Sequence, residues 1–194
     1  EAGNDLTGGS NNIVLGVQAL DADTNGCRSI AIGASALGAQ NSSTVANMYN
    51  VAVGDNAGKS VTTGVQNVLV GGLAGDALTD ADFNVAIGTG SLSSDTKGNK
   101  SIAIGQAALF AQNFSTSTDS HNVAIGNEAG VAVTTGVNNV LIGSLAGDAL
   151  TDADNNVAMG KSALSADTLG SNSTAIGRKA LGTQNFTTAT NGYN

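Results

Sequence analysis

The sequence predicts an all-β protein, a parallel β-solenoid, built as a single repeat array over residues 1–194. Three observations point there. A motif of Asn or Ser, three mostly aliphatic residues and Gly returns ten times, as "NIVLG", "SIAIG", "NVAVG", "NVLVG", "NVAIG", "SIAIG", "NVAIG", "NVLIG", "NVAMG" and the looser "STAIG". Its glycines, Gly16, Gly33, Gly54, Gly71, Gly88, Gly105, Gly126, Gly143, Gly160 and Gly177, keep one short step except for a longer one before Gly54 and again before Gly126. The chain holds 27 Gly and no Pro, and shows no apolar pattern of helical period, so burial must come from many small aliphatic side chains repeated coil after coil.

Three short steps and one long step make a superrepeat of four coils, carrying Gly16 onto Gly88 and Gly88 onto Gly160. That is why the decapeptide "LAGDALTDAD" occurs identically at Leu73–Asp82 and Leu145–Asp154. Each motif is expected to form a short strand ending beside its Gly, with no helix longer than about two turns. Within the motif, the residues three before and one before the Gly, such as Val85 and Ile87, are mostly β-branched and share one face of an extended chain, read here as the core. The residue between them is Ala in seven copies and Leu69, Leu141 or Val14 in the others, so the opposite face is also apolar but small. The Gly marks a corner or a positive backbone angle. Three residues later stands Ala, or Ser91 once, followed by Leu, Leu, Gly, Gly in rotation. Polar segments such as "DTNG", "DTKG" and "TTG" close each coil. Stacked at about 4.8 Å per coil, ten coils make a rod of roughly 50 Å.

An Ala-lined face left in water along that rod is an incentive to associate, and identical coils in register suit cyclic closure. Association of parallel copies through that face is therefore expected, with Ala31, Ala86, Ala158 and their equivalents at the interface. Both termini fall inside a coil, Glu1 aligning with Leu73 and Asn194 with Asn50, so the array is expected to continue in a longer chain.

The "NVAIGxxA" and "SIAIGxxAL" units resemble the head repeats of trimeric autotransporter adhesins and the related repeats of bacteriophage tail-fibre and tailspike shafts. The resemblance covers nearly the whole chain. It implies a left-handed β-roll, a parallel homotrimer, and a role in adhesion or fibre extension, outside the cell, on a virion or as a cell-surface filament. Carried over by position, Val85 and Ile87 would fill the roll and Ala86 would lie toward the neighbouring subunit. Both the short and the long coils here exceed those typical of the adhesin heads.

Composition narrows the chemistry. With 15 acidic against 7 basic residues the net charge is −8, which argues against a nucleic-acid partner. Cys27 is alone, so no internal disulfide or zinc quartet can form, and no apolar run reaches the roughly 20 residues of a membrane span. "DADTNG" at Asp21–Gly26 opens like a calcium loop, but Ile32 stands where the closing Glu belongs, and it is read as a polar turn. Asp80 with Asp82 and Asp152 with Asp154 are read as solvated loop, and His121 as a variable surface position rather than a base. No nucleophile, base and orienting group recur together, no cofactor motif is present, and the chain is read as no enzyme. The longer coils carry insertions beginning at Asn41, Asn113 and Asn185, each in an Asn-x-Ser/Thr sequon and each one superrepeat from the next. These three are the candidate glycosylation sites, against ordinary loop composition; Asn99 and Asn172 also sit in sequons.

Two functions follow as expectations. One is a passive fibre or adhesin shaft that presents a tip to a host-cell receptor or glycan through regions not identified. The alternative is a solenoid that binds ice or carbohydrate. Ice binding calls for a threonine ladder in every coil, and the paired threonines of "TTG", Thr62–Thr63 and Thr134–Thr135, recur only once per superrepeat.

Overall fold

The computed structural model describes all of residues 1–194. It is all-β and contains no helix. All ten motifs form three-residue strands, Ile13–Leu15, Ile30–Ile32, Val51–Val53, Val68–Val70, Val85–Ile87, Ile102–Ile104, Val123–Ile125, Val140–Ile142, Val157–Met159 and Thr174–Ile176, each ending one residue before its Gly. They pair in chain order as one ten-stranded parallel sheet with the repeat in strict register, Val85 opposite Ile102 and Ala86 opposite Ala103. An incomplete turn over residues 1–11 precedes them, so the solenoid has about eleven turns. Chain-order parallel pairing without helices is possible because each coil returns the chain one strand spacing further along the axis.

The return path uses left-handed backbone at three places per coil. In the coil of Gly54 these are Asn56 (φ 56°), Gly58 (φ 57°) and Gln66 (φ 58°). The motif glycine is a separate device. Gly88 sits at φ 130°, and a Cβ there would lie 2.5 Å from the Gly105 carbonyl oxygen of the next coil. Close stacking of successive corners therefore excludes every side chain.

The interior corrects the expected facing of the strands. Ala86, Ala103 and Ala158, with Leu69 and Leu141, are fully buried in one continuous core, whereas Ile87 is 37% exposed and Val85 half-buried. The middle residue of each strand points in and the two β-branched residues point out. The reason is space: a coil this short encloses a narrow interior, already filled by the inward residues of its other sides. Ala fits beside them and paired Val/Ile do not. A column of inward Asn, with Ser at some coils, begins each strand. Asn67 Oδ1 accepts from the Asn84 backbone N–H at 3.0 Å, while its Nδ2 donates to the Ala81 carbonyl at 2.8 Å. That double duty satisfies backbone groups at a corner and explains why the motif opens with Asn.

Packing also explains the four-coil superrepeat. Leu69 replaces Ala at the strand centre, and its two methyl groups occupy the space above Gly58 and Gly75, where a Cβ would come within 2.6 and 2.7 Å of them. Leu141 stands in the same relation to Gly130 and Gly147. In coils away from these two strands, Leu20, Leu37, Leu92 and Leu109 fill the corner instead and are fully buried. Leu, Leu, Gly, Gly is thus a volume compensation.

Where Leu takes the corner, the inward position three residues later is polar. Asp95 Oδ1 accepts from the backbone N–H of Gly98 and Phe114, and Oδ2 from Gln112 Nε2 at 2.6 Å. Gln112 Oε1 in turn accepts from Asn122 Nδ2 at 2.8 Å. Asp23 with Gln40 and Asp167 with Gln184 repeat the arrangement. These buried carboxylates anchor the longer coils, whose insertions add the short parallel pairs Gly26–Cys27 with Ala46–Asn47, Gly98–Asn99 with Thr118–Asp119, and Gly170–Ser171 with Thr190–Asn191.

Candidate functional site

The surface is organised as columns, because a side chain at one place in a coil sits about 4.8 Å from its counterpart in the next. Three columns matter.

The first is the outer face of the ten-stranded sheet. Its two files run from Ile13 to Thr174 and from Leu15 to Ile176, and except for Thr174 every member is Val, Ile, Leu or Met. At about 10 Å across and about 4.8 Å per strand this uncharged stripe covers roughly 500 Å², within the range of the largest apolar patch on an ordinary monomer, about 300–600 Å².

The second column is only partly visible in the sequence. Thr7, Thr24, Thr62, Thr79, Thr96, Thr134, Thr151 and Thr168 align in one file, completed by Asn41, Asn113 and Asn185. Thr79 Oγ1 donates to the Thr96 carbonyl at 3.0 Å, and Thr96 Oγ1 to Asn113 Oδ1 at 3.1 Å. Two residues before each member stands Ala or Ser, except for Asp5 and Thr183. Thr-Thr pairs hide this file, since its signal is one Thr per coil.

The three sequon asparagines therefore share one exposed edge, four coils apart. Asn99 differs from them, being buried with its Nδ2 on Ser117 Oγ at 3.0 Å, and Asn172 Nδ2 is bonded to Asn191 Oδ1.

The third column precedes the inward Asn or Ser of each strand. Its members, Arg28, Tyr49, Gln66, Phe83, Lys100, His121 and onward, all have φ between 48° and 63° and all but Asn172 are exposed. His121 is accordingly a surface residue of a variable file.

The acidic pairs are engaged locally. Asp82 Oδ1 accepts from the Val65 N–H at 2.7 Å, Asp154 Oδ1 from Val137 N–H, and Asp152 from Thr135 Oγ1. Asp23 of the "DADTNG" turn points inward to Gly26 and Gln40. No cluster of three or more His, Cys, Asp or Glu is placed to hold a metal. Asp76 and Asp148, equivalent residues of the repeated decapeptide, each keep one buried carboxylate oxygen without a partner, and burial raises both above the ordinary carboxylate value. Asp119 is held below that value by the Lys100 ammonium that bonds it.

Two shallow hollows, of about 270 and 350 Å³, lie against Gly38 and Gly182. In the superrepeat between them Phe110 stands where those glycines do, carrying a ring at that place.

These columns define the class: a parallel β-solenoid repeat protein whose side chains line up in files along its faces. No protein-family model, curated protein or solved structure matches the chain. No helix is long and apolar enough to cross a membrane.

Proposed function

We propose that the chain is a non-enzymatic shaft segment that self-associates in parallel through the outer face of its ten-stranded sheet, as a homotrimer, and spaces or presents a binding tip on an extracellular fibre or adhesin. The observation that supports this is the uncharged stripe itself. Val, Ile and Met on the outer face pack only on one another along the ladder and leave the rest of their surface in water, and covering roughly 500 Å² of apolar surface gives on the order of 10 kcal/mol per subunit before the costs of association. No charged side chain on the stripe has to be desolvated. Strict register of identical coils lets each subunit present the same files to its neighbours around a closed axis. The repeats' resemblance to adhesin heads and phage shafts favours three subunits and a fibre role. Replacing Val85 and Val157 with Lys tests this: the variant should keep its β circular-dichroism spectrum and fall to the mass of a single chain in light scattering. A variant that stays associated sinks the interface.

The alternative, a solenoid that binds ice, is favoured by the Thr/Asn file with Ala or Ser beside it in nearly every coil. Thermal hysteresis in the unmodified protein, lost on Thr79→Tyr and Thr151→Tyr, is its expected sign; an inactive protein excludes it.

A further inference from the structure

The chain has only six aromatic residues. Phe114 is buried and Phe186 half-buried under the insertions, and Phe110 stands alone in another column. The other three, Tyr49, Phe83 and Tyr193, fall in the single file that precedes the inward Asn, at exposures of 45%, 46% and 77%. Their backbone makes that placement costly. Tyr49 is at φ 54° and Phe83 at φ 61°, where a bulky side chain is disfavoured and Asn is well suited. The same file uses Asn at three later coils, Asn138, Asn155 and Asn172. From Arg28 to His121 it instead reads Arg, Tyr, Gln, Phe, Lys, His, with no acidic member, in a chain of net charge −8. Strain and exposure together, at positions where a cheaper residue is used elsewhere in the same protein, point to a surface kept for binding.

The geometry gives the ligand. The file is tied coil to coil by backbone bonds, Gln66 N–H to the Met48 carbonyl at 2.8 Å and Phe83 N–H to the Val65 carbonyl at 3.1 Å. Tyr49 and Phe83 are thus held two coils, roughly 10 Å, apart along the axis, with the Gln66 amide between them. The Arg28 guanidinium lies over the Tyr49 ring, 5.8 Å from its centre, and covers one face of it, while Lys100, which follows Phe83, spends one of its three donors on Asp119. Two apolar rings set two coils apart, with hydrogen-bond donors between and beyond them, fit a chain whose alternate units turn the same flat face to one side.

We propose that the file from Arg28 to His121 binds an extended, β-linked polysaccharide lying along the solenoid axis, with sugar rings stacked on Phe83 and on the face of Tyr49 that Arg28 leaves open, and hydroxyls bonded by Arg28, Gln66 and Lys100. The site does not depend on association through the outer sheet face. It is tested by calorimetric titration with cellohexaose and chitohexaose, using Tyr49→Asn and Phe83→Asn, which relieve the backbone strain and so keep the fold. The expected result is binding of at least one hexasaccharide, weakened about tenfold by each substitution and abolished by both, while Phe110→Asn binds as before. Mass in light scattering should be the same for all variants, which separates this site from the self-association surface. No binding of either sugar, binding indifferent to the double substitution, or a preference for a polyproline peptide over both sugars would overturn it.

Discussion

Ala86 and Ile87 are neighbours in one three-residue strand, both aliphatic, and they meet opposite environments. Ala86 is sealed inside the coil, between Leu69 and Ala103 in the strands on either side, while Ile87 faces outward with over a third of its surface in water. The pair shows that size, rather than hydrophobicity, decides which residue a narrow solenoid takes inside, and leaves the larger one partly in water. Interior and outer files should therefore respond differently to the same substitution.

The largest separation is expected from charge. Ala86→Lys places an ammonium among apolar side chains with no partner, a penalty on the order of 5 kcal/mol, and its thermal melt should be absent or shifted far down. Val85→Lys, one residue away, should melt within a few degrees of a monomeric form of the unmodified protein. If both lose the fold, the outward reading of Val85 fails.

Volume comes next. Leu69→Ala should cost about 2–5 kcal/mol in denaturant unfolding, because Gly58 and Gly75 leave nothing able to fill the space. An outer Val68→Ala should cost well under half as much. A backbone test of similar rank is Gly88→Ala, which meets the Gly105 carbonyl at φ 130° and should lose about 2–3 kcal/mol. Gly72→Ala, where φ is not positive and no contact is close, should be nearly silent.

The smallest effect contrasts the two copies of the repeated decapeptide. Asp76 and Asp148 are both raised by burial, but Lys59 offsets the rise at Asp76, whereas Glu128 adds to it at Asp148. A carboxyl raised above its ordinary 3.8 binds its proton more tightly folded than unfolded. Stability therefore falls as pH climbs from that value through the raised one and stays lower above it. Asp148→Asn should accordingly raise the melting temperature at pH 7, with the gain vanishing below about pH 4, and Asp76→Asn should do less. Equal gains would mean that the neighbouring charges do not reach these groups.

Much of the fold is legible because a repeat states its own alignment. Strand positions, parallel pairing, the special angle at each Gly and the four-coil superrepeat all follow from the spacing of Gly16 to Gly177. The facing of the strands is not legible. Alternation says that Val85 and Ile87 share a face, but which face is inside depends on the room left by Asn84, Ser91 and Leu92 on other sides of the coil, and only the closed coil reveals it. Asp23, Asp95 and Asp167 look locally like turn residues and are buried anchors. Their inward role depends on Gln40, Gln112 and Gln184, each in the next coil. Of the surface files, the Thr/Asn one is written in the sequence at one residue per coil, where the more conspicuous Thr pairs mask it. The file of Tyr49 and Phe83 is beyond reach, since nothing local marks these two residues as having positive φ.

The proposed association requires further copies of the chain to cover the β-branched outer face. Sedimentation equilibrium of the unmodified protein, at micromolar concentration and physiological salt, tests it most directly. The expected result is a single species at three times the 18.9 kDa chain mass, dissociated by lysines at Val85 and Val157. A stable, soluble species of one chain mass across that concentration range would contradict it.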